Sequence, residues 1–109
     1  MSEDTWSRLA RVLSALAHPT RLKILALCAE KERTRRELRE LLGTSKPLLI
    51  AHLKVLRNAG LIEDEPVLDE ERLVVKRICR TRSFRICISP ETLRKLLERS
   101  SEQQGPEID

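Results

Sequence analysis

Residues 34–62, TRRELRELLGTSKPLLIAHLKVLRNAGLI, constrain the fold more than any other stretch. Thr34 is placed to cap a helix, and Glu37 sits three residues later, the spacing of a capping box. Leu38, Leu41 and Leu42 then share one helical face. Gly43 is the natural stop, because the residue just past a helix end often needs positive φ. Ser45 offers an N-cap hydroxyl to a second helix, with Lys46 and Pro47 in its first turn. Leu49, Leu53 and Leu56 keep helical spacing, and Gly60 closes that helix. The pattern predicts two short amphipathic helices around a sharp turn, the helix-turn-helix arrangement of many DNA-binding proteins. A leucine stripe suits any small helical domain, so a functional expectation has to come from the opposite face and the flanks.

On the N-terminal side, a helix is expected from Thr5, with Trp6, Leu9, Leu13 and Leu16 on one face and Val12 beside it. It is free to pack on its own chain or on a second subunit. His18 precedes Pro19, which is welcome at a first helical position and disfavours helix before it. A second helix is therefore expected from Pro19 to about Glu30, burying Leu22, Ile24 or Leu25, and Cys28. Lys31–Arg33 reads as a short connection. After Gly60 the period changes. Leu61 and Ile62 begin a strand that continues through Pro66, Val67 and Leu68 as an edge. Leu73–Arg80 and Phe84–Ile88 alternate as strands. Turns at Asp69–Arg72 and Thr81–Ser83 would make a small antiparallel meander. Ser89 and Pro90 open a last helix bearing Leu93, Leu96 and Leu97, and residues 100–109 read as a flexible tail. The expected architecture is mainly α with a small antiparallel β-wing, in one domain over residues 5–99.

The 109 residues allow one modest core. No apolar run reaches the length of a membrane span and no signal-peptide pattern is present, so a cytoplasmic protein is expected. Three cysteines do not form a secreted disulfide framework. The net charge of +4 is unevenly spread. Residues 1–60 are basic, 61–71 are acidic and 72–85 carry only basic charges, a distribution suited to a surface that meets phosphates. Two isolated histidines without a serine or carboxylate partner make no catalytic set, and no glycine-rich phosphate loop precedes a helix. Enzyme chemistry is not expected, nor is a cofactor.

The run Leu16 to Leu25 (LAHPTRLKIL), Glu37-Leu38 to Leu42-Gly43, Ser45-Lys46-Pro47, and His52 to Ile62 (HLKVLRNAGLI) resembles the ArsR-type winged-helix transcription regulators. The resemblance implies a homodimer built on the first and last helices. It also implies a recognition helix in the major groove and a wing near the backbone or minor groove of double-stranded DNA. It implies a transcription regulator, and by family analogy a repressor. Many family members bind metal through Cys-x-Cys in the helix before the recognition helix, or through acidic and histidine ligands on the last helix. Arg36–Leu42 has no cysteine and Leu93–Arg99 has no histidine, so no metal is expected. The wing also lacks the usual tip glycine.

On the recognition helix at 45–59, Lys46, Lys54 and Arg57 lie close together on a helical wheel, away from the leucines. They are candidate phosphate contacts, with Ser45 and the helix N-terminus. Pro47, Ile50 and Ala51 share this surface. Ile50 and Ala51 cannot hydrogen-bond a base edge but can pack on a thymine methyl. In the wing, Arg72, Arg80 and Arg82 are the candidates. A Thr81–Ser83 tip would present Arg80 and Arg82 to DNA, whereas an Asp69–Arg72 tip would bring carboxylates to it. A third arrangement pairs the acidic and basic strands with each other across the sheet. Cys28, Cys79 and Cys87 read either as small buried hydrophobes or as an oxidant- or metal-responsive set. The rival to a DNA-binding regulator is a winged helix that contacts other proteins, which the apolar outer side of the recognition helix would suit.

Overall fold

The structure is a computed structural model. It describes residues 4–103, with side chains through residue 99. In chain order the elements are α1 (Thr5–Leu16), α2 (Pro19–Glu30), β1 (Arg33–Thr34), α3 (Arg35–Leu42), α4 (Lys46–Asn58), β2 (Ile62–Asp69), β3 (Val74–Thr81) and α5 (Pro90–Gln103).

Local chemistry fixes the helix ends. The Asp4 carboxylate accepts from the Ser7 N–H at 2.6 Å and opens α1. His18 Nδ1 does the same for α2, accepting from Thr20 N–H at 3.2 Å ahead of Pro19. Thr34 Oγ1 accepts from Glu37 N–H at 3.0 Å, and Ser45 Oγ from Leu48 N–H at 3.3 Å. Each satisfies a backbone donor that the first turn leaves without a partner. Gly43 takes φ +64° just past α3, as the sharp turn requires. Ser89 and Thr92 cap α5 reciprocally, each hydroxyl accepting from the other's backbone N–H at 3.0 and 2.8 Å.

The core gathers Ala15, Ile24, Leu25, Cys28, Leu38, Leu49, Leu53, Leu56, Leu61, Ile62 and Cys79. Both Ile24 and Leu25 are buried, so α2 faces the core with two adjacent residues. Leu22 and Leu41, expected inside, are about half exposed at 51% and 55%. With only a single core layer, α2 and α3 each bury a narrow stripe, and a leucine one helical step aside from it meets solvent. His52 is buried beside the leucine stripe. Its Nδ1 accepts from Arg21 Nε–H at 3.2 Å, and its ring lies 4.6 Å from that of His18. Burial, then the charges of His18 and Arg21, depress its pKa.

The sheet has strand order β1-β3-β2, all antiparallel. It departs from the expected meander in three ways. First, Arg33–Thr34 is not mere connection: it pairs with Cys79 and Ile78. Second, Phe84–Ser89 is not a strand. The base of β3 already has β1 on one side and β2 on the other, so no free edge remains there. Third, the hairpin turn follows Asp69, and Thr81–Ser83 is not a turn between strands. There Arg82 N–H donates to Leu61 O at 3.0 Å and the chain leaves the sheet. At the other end, residues 100–103 of the expected tail are helical, because α5 continues to Gln103. Residues 104–109 lie outside the described residues.

Candidate nucleic-acid interface

The leucine stripe of α4 is seated in the core, which turns its other side outward. Ser45, Lys46, Pro47, Ile50, Ala51, Lys54 and Arg57 are all exposed there, so the structure brings these sequence candidates onto one surface. Leu48 and Val55 are exposed on the same helix. Between α3, the first turn of α4 and the β2–β3 wing runs a groove of about 650 Å³. Seven cationic side chains line it: Arg35, Arg36, Arg39, Lys46, Arg72, Lys76 and Arg77. Among the lining residues only Glu37 and Glu40 are acidic, a formal lining charge of +5, which Asp64 behind Arg35 and Arg77 and Asp69 beside Lys76 reduce to +3. Glu40 is already engaged by Arg36 at 3.2 Å. Such a concave basic surface concentrates a polyanion.

The wing candidates separate. Arg72 is at the tip and lines the groove. Arg80 and Arg82 are at the opposite end, because Arg80 pairs with Glu63 near the base of the sheet. The expectation that they flank an exposed turn is corrected accordingly. Arg80 is surrounded by Glu32 and Glu65, both at 3.1 Å, and Glu63 at 3.8 Å. Acidic β2 does meet basic β3 across the sheet. At the tip, Asp69 accepts from the Glu71 and Arg72 N–H groups at 3.1 and 3.3 Å and pairs with Lys76 at 3.1 Å. The Lys76 contact, with these backbone bonds, holds the Asp69 carboxyl below its usual range despite some desolvation. One of the tip carboxylates is therefore compensated, and Glu70 and Glu71 stay exposed.

Asp64 anchors the wing to α3. Its side chain is 1% exposed. Arg35 donates to both carboxylate oxygens through Nε and Nη2, Arg77 Nε donates to Oδ1 at 3.4 Å, and Arg77 Nη2 donates to the Asp64 carbonyl at 3.0 Å. Burial pushes the Asp64 carboxyl up, but the bonds and charges of Arg35 and then Arg77 outweigh it, so the group stays ionised well into acid.

The Cys79 thiol donates to Asp64 Oδ1 at 3.6 Å. Burial first, then the Asp64 charge, pushes Cys79 up to about 12, and burial does the same for Cys28. Both are inert thiols at neutral pH, while Cys87 is exposed and all three are free. A thiol reagent should therefore reach Cys28 and Cys79 only after denaturation. Mass spectrometry of the labelled peptides checks this; labelling of Cys79 under native conditions would contradict its placement. Among the described residues, no three His, Cys, Asp or Glu side chains converge as a metal site would need. No single helix there is long and apolar enough to cross a membrane.

The α3 arginines and Arg77 were not read from the sequence as part of this surface. The signal was present in Arg36, which lies across α3 from Leu38, whereas Arg35 shares the side of Leu38 at i, i+3 spacing. The profile of the bacterial regulatory proteins of the arsR family matches residues 18–64, which span α2 through α4 and the start of β2. An uncharacterized HTH-type transcriptional regulator from Methanocaldococcus jannaschii is 37% identical over 84 residues, covering 77% of this chain and 86% of that protein. The chain belongs to the ArsR family. As an ArsR-family protein it is a DNA-binding transcription regulator with a winged helix-turn-helix fold. A biofilm growth-associated repressor from Xylella fastidiosa is 35% identical over 61 residues, covering 56% of this chain and 54% of the repressor. In fold, the chain is similar to a homodimeric winged helix-turn-helix DNA-binding domain from Mycobacterium bovis. The TM-score is 0.62, with 23% identity over 98% of this chain and 94% of that one.

Proposed function

We propose that this ArsR-family protein acts in the cytoplasm as a homodimeric repressor, each subunit laying α4 in the major groove of double-stranded DNA. The observation that carries the reading is the continuity of the exposed α4 surface with the cationic groove beside it. Lys46, Lys54 and Arg57 supply phosphate contacts, with the Ser45 end of the helix. Pro47, Ile50 and Ala51 give apolar contact with thymine methyls, so specificity leans on few polar base contacts and on DNA shape. Arg72 reaches backbone from the wing, while Arg80 and Arg82, at the base of the sheet, act only through longer-range charge. The repressor named in Xylella supports the sign of regulation.

Dimer assembly is supported by α5. Among the described residues it alone packs extensively on no other element. The radius of gyration, 18.0 Å, exceeds the roughly 13 Å expected of a compact chain this long. The resulting two-fold predicts an inverted-repeat site with half-sites about one helical turn apart.

Lys54→Ala and Arg57→Ala should each weaken binding to all duplexes alike, with a salt slope shallower by about 1. Fluorescence anisotropy across a salt series checks this. The second reading, a protein-contact module, would use the exposed Leu48, Ile50 and Val55 on α4. It requires duplex affinity that is negligible, or unchanged by both substitutions.

A further inference from the structure

We propose that Arg35 and Arg77, both held by the buried Asp64 carboxylate, form a preset clamp for one DNA phosphate, with Asp64 as its positioning residue. The inference rests on the DNA-binding reading and adds a contact that the recognition helix does not make. If α4 occupies a major groove and the wing approaches the neighbouring minor groove, the sugar-phosphate strand dividing them passes between these two elements. The basic groove occupies that space, and Arg35 and Arg77 line it from opposite walls, α3 and β3.

The geometry leaves both guanidiniums available. Each has five N–H groups and spends two on Asp64, leaving three for a ligand. Their side chains are 24% and 36% exposed, while Asp64 is 1% exposed. The carboxylate thus sits behind the arginines and fixes their planes without competing for the groove face. A preset fork matches a phosphate's paired oxygens and loses less side-chain freedom on binding than a free arginine would. Parity along β3 explains why Arg77 serves and Arg80 does not. Arg77 lies two residues from buried Cys79, on the same face of the sheet, and Arg80 is on the other.

The role can be separated from simple charge. Asp64→Asn adds one positive charge to the protein. If Asp64 only neutralised the arginines, this variant would bind duplex more tightly. As a positioning residue, its loss should weaken binding about tenfold despite the added charge. Arg35→Lys keeps the charge but loses the fork, and should also weaken binding about tenfold, with the salt slope unchanged. Arg77→Gln should lower the slope by about 0.9, one phosphate's worth. The measurement is anisotropy of a fluorescein-labelled mixed-sequence duplex over a salt series, on variants whose circular dichroism matches the parent. Arg35 is the safer variant should Asp64→Asn fold poorly, because its side chain is partly solvated. Tighter binding by Asp64→Asn, or parental affinity in Arg35→Lys, overturns the clamp while leaving DNA binding intact. A parent protein without salt-dependent duplex binding overturns both.

Discussion

Leu96→Glu is expected to convert the protein from dimer to monomer and to lower its affinity for an inverted-repeat duplex by about 10²- to 10⁴-fold. Leu96 lies on α5 beside Leu9, Ile86, Ile88 and Leu93, around an apolar groove of about 400 Å³. Trp6, Leu13, Phe84, Ile88 and Leu97 are exposed on α1, on α5 and on the segment joining β3 to α5. That is more aliphatic and aromatic surface than one small chain needs to show water, and α5 has little of its own chain to bury it against. A carboxylate placed in such an interface gives up hydration, at a cost of several kcal/mol per ion, and removes the apolar contacts of the leucine. The two-fold makes the cost count twice. The loss of DNA affinity follows because two half-sites bound by one dimer gain from effective concentration, and two separate monomers do not. Sedimentation equilibrium reads the mass directly, with Leu73→Glu at the exposed wing tip as the control that should stay dimeric. A dimeric Leu96→Glu protein would place the interface elsewhere.

What the sequence made legible follows the range of the interactions. Caps and stops are decided within three or four residues, so Thr34, Gly43, Ser45 and Ser89 mark helix ends that the structure keeps. The two-residue β1 was invisible, since Arg33 and Thr34 become a strand only by meeting Cys79 and Ile78 some 45 positions away. The alternation of Phe84, Ile86 and Ile88 reads as a strand, but residues 85–88 all line the apolar groove with α5, and Phe84 and Ile88 are 43% and 47% exposed. Periodicity reports a half-buried extended chain, and cannot report whether a neighbouring edge is free. The same limit applied to the site. The outward cations of α4 were readable from one helix. Which wing arginine looks into the groove depends on the β2–β3 register, where a single-residue slip exchanges faces. Asp64 illustrates the point most fully. In sequence it is one acid in an acidic run; in the fold it is a buried anchor for two arginines from different elements.

Leu53→Ala is expected to lower stability by about 3–4 kcal/mol and Tm by roughly 12–20 °C, compared at equal protein concentration because dimer stability depends on it. Leu53 is 1% exposed at the middle of the buried stripe of α4, with Leu49 and Leu56 a turn to either side. Truncating its isobutyl side chain to a methyl forfeits burial and leaves a void that a helix pinned at both ends, by the Ser45 cap and by Gly60 at φ +76°, cannot readily close. Against a total stability of about 5–15 kcal/mol for a domain, that is a large fraction. Leu48→Ala on the same helix is half exposed and should cost well under 1 kcal/mol, which separates core packing from any general intolerance of α4. The effect on DNA binding should follow the melt rather than the charge. Near the lowered Tm, Leu53→Ala should lose affinity as α4 unseats, yet keep the parent's salt slope well below that temperature, because every phosphate-facing cation remains. Circular dichroism melts paired with anisotropy at two temperatures test both parts. A Leu53→Ala protein melting within a few degrees of the parent would mean that the outward face assigned to α4 is wrong by a fraction of a turn, and the cationic surface with it.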